Sequence, residues 1–281
     1  MVVFQDFVVV STLYPIFGDY GTIQDAIDDG AVSIYVKSGL YVTTETITVP
    51  SGVVVYGESV DTESGGVIIS FNEDDWGFII QGYGARISGL RVVHSRNARG
   101  AFVFDAAEQA IVERCRIDGC DRAATFIAST HCQFSENWAQ GSMLESVFVD
   151  SVSTDNRVFN NRLFDGHNYG IYLEGAFNKV VDNTITGHTY DGILVTSKMN
   201  TIRGNTCNNN ENGIYVAMTG GDNNSLMGNT CIQNRGYGIN INSLENAGNV
   251  AVGNTLHENG VADLRFVPGN VVVANDAGTT V

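Results

Sequence analysis

The residues best suited to chemistry in this sequence are aspartates and histidines that recur one repeat apart. Asp165 and His167 flank a glycine, and His188 and Asp191 follow one repeat later. Carboxylates and imidazoles exchange protons, so these four side chains are candidates for general acid and base in elimination or epimerisation. A structural alternative stays open, because Asp-Gly and Gly-His also occur where a chain turns. Both interpretations depend on the elements that stack these residues.

A repeat of 21 to 25 residues carries the candidates. An asparagine opens each copy, and a second asparagine follows five residues later. The opening residues are Asn156, Asn178, Asn200, Asn224, Asn249 and Asn270. Units of this length bury their apolar side only against their neighbours, which is typical of a solenoid. We interpret the asparagines as structural, since Asn tolerates left-handed backbone and its amide can satisfy backbone groups one coil away.

Each unit holds short runs of alternating apolar residues and leaves no room for a helix. Gly170–Leu173 and Gly192–Val195 are examples, and runs this short with period two are strands. Strands that pair with their own copies form parallel sheets. The sequence therefore predicts an all-β fold, a single-stranded right-handed parallel β-helix of roughly ten coils. Thr22 is a candidate N-cap for a short helix over the first coil.

The chain divides into one long domain with short ends. We assign residues 1–20 to an N-terminal lead-in or attachment segment, 21–276 to the β-helix domain and 277–281 to a C-terminal tail. Five cysteines in the apolar register indicate core positions. No cofactor or metal is expected. Gly220-Gly221-Asp222 only weakly suggests calcium, because the repeated calcium-binding glycine pattern is missing.

A stripe of large apolar residues is predicted on one outer face of the coil. Alternation places these residues outward on successive coils: Phe102, Phe126, Phe148, Tyr172, Leu194 and Tyr215. Three interpretations compete: a protein interface such as a side-by-side trimer, a groove where sugar rings stack, or a surface covered by a terminal segment. We favour the protein interface, because a sugar site needs polar groups between the rings.

The composition limits the partners. The formal charge is −16, with three lysines against 31 acidic residues, so nucleic acid and anionic membranes are poor partners. This acidity fits a protein from a halophilic system. No apolar run is long enough to insert in a membrane, and the start lacks the features of a secretory signal.

Several phrases of the sequence resemble known β-helix proteins. Thr22–Ile27, Ile34–Tyr41 and Val53–Gly57 are similar to the opening of the pectin-lyase-like superfamily. The Asn-x-x-x-x-Asn-Thr-Ile phrases resemble the parallel β-helix repeats of mannuronan epimerases, periplasmic copper-maturation proteins and phage tailspikes. The epimerases carry an Asp-Pro-His-Asp-like catalytic phrase, from which residues 165–168 depart at the second and fourth positions.

This resemblance implies the fold and leaves two functional hypotheses. The first is a virion structural protein, of the capsid decoration, turret or tailspike type, that assembles as a homo-oligomer with other virion proteins and could bind surface glycans. The second is a polysaccharide lyase or C5-epimerase that acts on acidic polysaccharide. We favour the virion hypothesis and a trimer. An extracellular or cell-surface location is the alternative to the virion.

Overall fold

The protein is a long stack of coils, seen here in a computed structural model. The structure describes residues 7–60, 66–72, 76–94, 99–217, 219–242 and 247–280. Nearly all regular structure in them is β-strand, in three parallel sheets of twelve, eleven and ten strands. Each strand pairs with the equivalent strand of the next coil. The all-β, right-handed parallel β-helix predicted from the repeat is confirmed, with about eleven coils.

Sheet A begins each coil. In spatial order its strands are β1 (Val8–Val10), β2 (Ser33–Val36), β5 (Val54–Gly57), β8 (Arg86–Ser88), β11 (Ile111–Glu113), β14 (Gln133–Ser135), β17 (Arg157–Phe159), β20 (Lys179–Val181), β23 (Thr201–Arg203), β26 (Ser225–Met227), β29 (Val250–Val252) and β32 (Val271–Val273). Part of the predicted lead-in thus belongs to the sheet, since Val8 pairs with Ile34.

Sheet B follows after a short corner. Its strands are β3 (Gly39–Thr43), β6 (Val67–Phe71), β9 (Arg91–His94), β12 (Arg116–Asp118), β15 (Trp138–Gln140), β18 (Arg162–Phe164), β21 (Thr184–Thr186), β24 (Thr206–Asn208), β27 (Thr230–Ile232), β30 (Thr255–His257) and β33 (Asp276–Ala277). Near the C-terminus the backbone of Asp263 donates to Thr279, so the chain stays attached to the last coil beyond residue 276.

Sheet C completes the coil. Its strands are β4 (Ile47–Val49), β7 (Trp76–Tyr83), β10 (Gly100–Glu108), β13 (Ala124–Ile127), β16 (Val147–Val149), β19 (Ile171–Leu173), β22 (Ile193–Val195), β25 (Ile214–Val216), β28 (Tyr237–Ile241) and β31 (Ala262–Phe266). Inward side chains of the three sheets fill one continuous core. All five cysteines are free and buried in it.

The predicted capping helix is α1 (Ile23–Asp28). The Thr22 hydroxyl accepts a hydrogen bond from the Asp25 amide at 3.1 Å, as expected of an N-cap. Ile23 and Ala26 are buried against the first coils. Within the described ranges, no helix combines the length and apolarity needed to span a bilayer.

The repeated asparagines form ladders inside the corners. Asn205 is typical: its Oδ1 accepts from the Asn183 amide at 3.0 Å, and its Nδ2 donates to the Val180 carbonyl at 2.9 Å. Its backbone amide donates in turn to Asn229 Oδ1 at 3.0 Å. The predicted amide-to-backbone role is therefore correct. The expected left-handed backbone lies elsewhere, because the residue before a ladder asparagine, such as Asp182 (φ 55°), adopts it.

Candidate functional site

The outer face of sheet C carries part of the predicted apolar stripe. Phe148 pairs with Tyr172, Tyr172 with Leu194, and Leu194 with Tyr215. These four side chains occupy one outward column on successive coils, about 4.8 Å apart. Phe148, Tyr172 and Tyr215 are half-buried, and Leu194 is almost fully covered.

Phe102 and Phe126 do not belong to this stripe. Both are fully buried, and they stack in the core on Phe78 (5.3 Å between ring centroids) and Phe104 (4.4 Å) respectively. The outward position on their strands falls one residue away, at Val103 and at Thr125, which pairs with Phe148. A slip of one residue moves a strand side chain to the opposite face, so the sequence prediction was wrong at both positions.

Two further tyrosines extend the stripe around the corner between sheets B and C. The rings of Phe148 and Tyr172 lie 5.5 Å apart, those of Tyr172 and Tyr169 5.6 Å, and those of Tyr169 and Tyr190 5.4 Å. We call these four rings, with Leu194 and Tyr215, the aromatic face. The sequence pattern did not assign Tyr169 and Tyr190 to the stripe, because they lie before their strands, where alternation does not apply.

An ion pair borders the aromatic face at the Phe148 end. The Arg122 guanidinium lies 4.9 Å from the centre of the Phe148 ring, and its Nε donates to Glu145 Oε2 at 2.7 Å. The other Glu145 oxygen accepts from Asn168 Nδ2 at 3.1 Å. The Glu145 side chain is largely buried. The guanidinium and the carboxylate therefore hold each other in fixed positions beside the rings.

Asp191 is a buried carboxyl group on the same face. It occupies the column of Tyr169 and Glu145, since Ile171 pairs with Ile193 one coil on and with Val147 one coil back. Its Oδ1 accepts from Asn212 Nδ2 at 2.6 Å. Burial raises the pKa of Asp191 to about 6, although the hydrogen bonds from Asn212 act in the opposite direction. This group can therefore bind or release a proton near neutral pH.

His188 faces the core and cannot share a site with substrate. Its ring is fully buried beneath Gly166, whose missing side chain leaves the space, and Nε2 lies 3.0 Å from Ser146 Oγ. The His188 amide donates to Asn210 Oδ1, which makes this histidine the head of a third asparagine column. Burial lowers its pKa to about 4, so the ring is neutral at pH 7.

The predicted catalytic cluster is thus divided among three environments. Asp165 is exposed and accepts from Gln140 Nε2 at 3.1 Å. His167 is also exposed, at the rim of a separate cleft lined by His94 and Met143. Only Asp191 joins the aromatic face. His188 lies beside Gly166 of the preceding coil, as the repeat spacing indicates, but the repeat alone did not reveal that the ring points inward.

Several solved structures share the fold of this chain. An alginate lyase from a Paenibacillus species superimposes with a TM-score of 0.68 at 14% identity, covering 92% of this chain and 95% of the lyase. The Dettilon tailspike protein gives 0.55 at 16% identity, covering 88% and 62%. The catalytic domain of an α-1,3-glucanase gives 0.64 at 13% identity, covering 98% and 65%. At identities this low, the superpositions show a shared fold and nothing about function.

Relatives by sequence are fewer. No curated protein matches the chain. A family described as "Periplasmic copper-binding protein (NosD)" matches residues 33–216 and 150–276, in overlapping stretches that run from β2 into β33. The residues described here do not fit copper, because they include no group of three His, Cys, Asp or Glu side chains able to hold a metal. The match nevertheless covers most of the coils, and the chain belongs to the NosD family of parallel β-helix proteins.

Proposed function

We propose that the aromatic face binds a glycan chain. The observation that carries this proposal is the run of four rings, each 5.4 to 5.6 Å from the next, bordered by the carboxyl groups of Glu145 and Asp191. Sugar rings present C–H faces that stack on aromatic side chains, while their hydroxyl groups need hydrogen-bonding partners at the edges. Binding sites for small polar ligands combine these two features.

The same geometry argues against the protein interface that the sequence favoured. Two of the six predicted stripe residues, Phe102 and Phe126, are in the core, so the apolar column is shorter than expected. The remaining side chains cover one another and are bordered by Arg122, Glu145 and Asp191. Polar groups beside the rings provide the hydrogen-bonding partners that sugar hydroxyl groups need.

Electrostatics favours a neutral glycan. The protein carries a formal charge of −16. The guanidinium that touches the aromatic face, Arg122, is already paired with Glu145, and nearby Arg235 is paired with Glu211 at 3.0 Å. A uronate would bring further negative charge to a surface whose Arg122 and Arg235 are already neutralised by glutamates. A chain of neutral sugars avoids that repulsion.

A matched pair of variants tests glycan binding. Phe148 and Phe159 are both half-buried on outer faces, and each lies under an arginine, at 4.9 Å from Arg122 and 5.0 Å from Arg157. Phe148→Ala should weaken binding of neutral oligosaccharides at least about tenfold, or about 1.4 kcal/mol. Phe159→Ala, on sheet A, should leave the affinity unchanged in the same titration calorimetry.

Two results would contradict the proposal. Wild-type protein could fail to bind any glycan on an array that spans neutral and acidic oligosaccharides. Alternatively, Phe148→Ala and Phe159→Ala could reduce binding equally, which would place the glycan away from the aromatic face. Stronger binding of alginate oligosaccharides than of neutral chains would overturn the electrostatic argument alone.

Cleavage of the bound glycan is a second candidate function, favoured by Asp191. A carboxyl group with its pKa raised to about 6 is suited to donate a proton to a leaving oxygen. Glu145 lies two coils away in the same column, a backbone separation of roughly 9 to 10 Å, with Tyr169 on the coil between them. A lyase or an epimerase would need a base that reaches the substrate, and the predicted candidate His188 cannot do so because it is inside the core. Asp191→Asn should abolish release of reducing ends while glycan binding persists.

A virion role remains part of the proposal. The tailspike similarity supports it, since a glycan-binding coil suits a protein that attaches to a cell surface, but this chain spans only 62% of the Dettilon protein. The homotrimer rests on the predicted stripe, and the halophilic origin rests on the acidic composition. Multi-angle light scattering in high salt separates the two uses of the aromatic face: a monomer is expected if the face binds glycan, and a trimer would restore the protein interface. A melting curve independent of salt would contradict the halophilic origin.

A further inference from the structure

The N-terminal end of the stack carries the densest group of exposed apolar side chains among the described residues. Leu13, Tyr14, Ile16 and Phe17 are 56 to 76% exposed within one loop. Leu40 and Val42, on the outer face of β3, are 58 to 59% exposed. We call these six residues the N-terminal apolar patch. Large contiguous apolar surfaces on soluble proteins mark sites of contact.

The loop that bears the patch is held in place by backbone hydrogen bonds. The amides of Ile16 and Phe17 donate to the Leu13 carbonyl at 2.8 and 3.2 Å. At its base, the Val9 amide donates to Asp19 Oδ2 and the Asp19 amide to the Val9 carbonyl, both at 2.7 Å. The fold therefore presents these side chains to solvent in a fixed arrangement, which lowers the entropy lost when a partner binds.

Two clefts join the patch to an acidic rim. One, of about 450 Å³, is lined by Leu40, Val42 and helix α1. The other, of about 560 Å³, is lined by Tyr14 and four aspartates: Asp19, Asp25, Asp28 and Asp29. Asp25 and Asp28 line both clefts. Lys37, 6.0 Å from the Phe17 ring, is the nearby cation among the residues described.

We propose that the N-terminal apolar patch docks a protein segment whose apolar side chains are flanked by lysine or arginine. Apolar residues would fill the cleft beside Leu40 and Val42, and the cations would face Asp25 and Asp28. Charge complementarity selects this occupant. A second copy of the chain would bring two acidic rims together, and an anionic membrane surface would be repelled. This surface is separate from the aromatic face, and the inference does not depend on glycan binding.

Selection from a random twelve-residue peptide library displayed on phage tests the proposal. The expected consensus has apolar residues flanked by Lys or Arg. The double substitution Ile16→Ser with Phe17→Ser should lower the affinity for the selected peptides at least about tenfold. Asp25→Asn with Asp28→Asn should do the same and remove most of the salt dependence. Val271→Ser with Val273→Ser, an exposed apolar pair on β32, is the control and should bind like wild type.

Several outcomes would overturn the docking proposal. A consensus without basic residues, equal binding by the patch and control variants, or no enrichment would each do so. A wild-type dimer that Ile16→Ser with Phe17→Ser converts to monomer would assign the patch to self-association. Binding to phosphatidylcholine vesicles that is lost in the same variant would assign it to lipid. If the loop variant fails to fold, the Asp25 and Asp28 variant, which leaves the loop intact, decides.

Discussion

The two halves of the stack use the same coil but hold it together differently. In residues 33–149 the core is built around phenylalanine rings, including the stacked pairs Phe78–Phe102 and Phe104–Phe126. In residues 156–277 the core columns hold Ile, Leu, Val and Cys, and asparagine ladders occupy the corners. One column shows the change directly: it holds Cys115 in the N-terminal half and Asn205 in the C-terminal half.

The difference separates two ways of specifying a coil. A ladder asparagine satisfies backbone groups of the neighbouring coil wherever it occurs, so each unit needs the same residue and the period is visible in the sequence. Stacked rings instead need matched volumes on adjacent coils, and these can be achieved by many combinations. The N-terminal half therefore has the same fold with a weaker repeat.

Phe126→Ala should produce the largest loss of stability. Removing a fully buried phenylalanine costs about 3 to 5 kcal/mol, because the ring it stacks on is left facing a cavity. Urea denaturation measures the change. Thr125→Ala, one residue away on the outer face, is the control: its hydroxyl is buried without a partner among the described residues, so its removal should cost little. If Phe126→Ala cost less than about 1 kcal/mol of unfolding free energy, Phe126 would point outward, as the sequence pattern predicted.

Asn205→Ala should cost on the order of 3 kcal/mol, because it strands the Asn183 amide and the Val180 carbonyl in the core. Cys115→Ala, in the same column of the N-terminal half, should cost about 1 kcal/mol, since a small buried side chain is lost. If thermal unfolding shows equal losses of stability for the two variants, the ladder asparagine contributes no more than the cysteine, and the two halves do not differ in this way.

Asp191→Asn should stabilise the protein by up to about 2 kcal/mol at pH 7, since it removes a buried charge and keeps an acceptor for Asn212. The folded pKa of about 6 exceeds the ordinary value of 3.8, so wild-type Asp191 costs stability increasingly as pH rises from about 4 to 6. The difference in unfolding free energy between variant and wild type should therefore grow across that window and then level off.

The Asp191 result also separates a functional carboxyl from a structural one. If the Asp191→Asn variant is more stable than wild type but no longer cleaves glycan, the carboxyl group of Asp191 serves function at a cost in stability. A variant less stable than wild type at pH 7 would show instead that the Asp191 charge supports the fold. Burial lowers the pKa of both His94 and His188 to about 4. Acid below pH 6.5 therefore destabilises wild type and the Asp191→Asn variant alike. The two proteins are compared by the difference in their unfolding free energies at each pH.

The candidate site was predicted only where the repeat is regular. The register from Gly170 onward placed Tyr172, Leu194 and Tyr215 on the outer face, and the strand pairing agrees. The register failed at Phe102 and Phe126, in coils that precede the ladder asparagine Asn137. It also gave no account of the corners, because a period of two defines inward and outward only within a strand.

Local patterns along the chain were sufficient to predict the fold, the coil length, the helix cap at Thr22 and the amide-to-backbone role of the ladder asparagines. Each of these depends on local chemistry that repeats along the chain: an amide, a hydroxyl cap, or an alternation of two. Three properties became evident only from the packing of the coils: His188 is buried, burial raises the pKa of Asp191, and Tyr169 and Tyr190 extend the aromatic face. Those properties depend on which side chains of adjacent coils meet at a corner, and the spacing of residues along one chain does not contain that information.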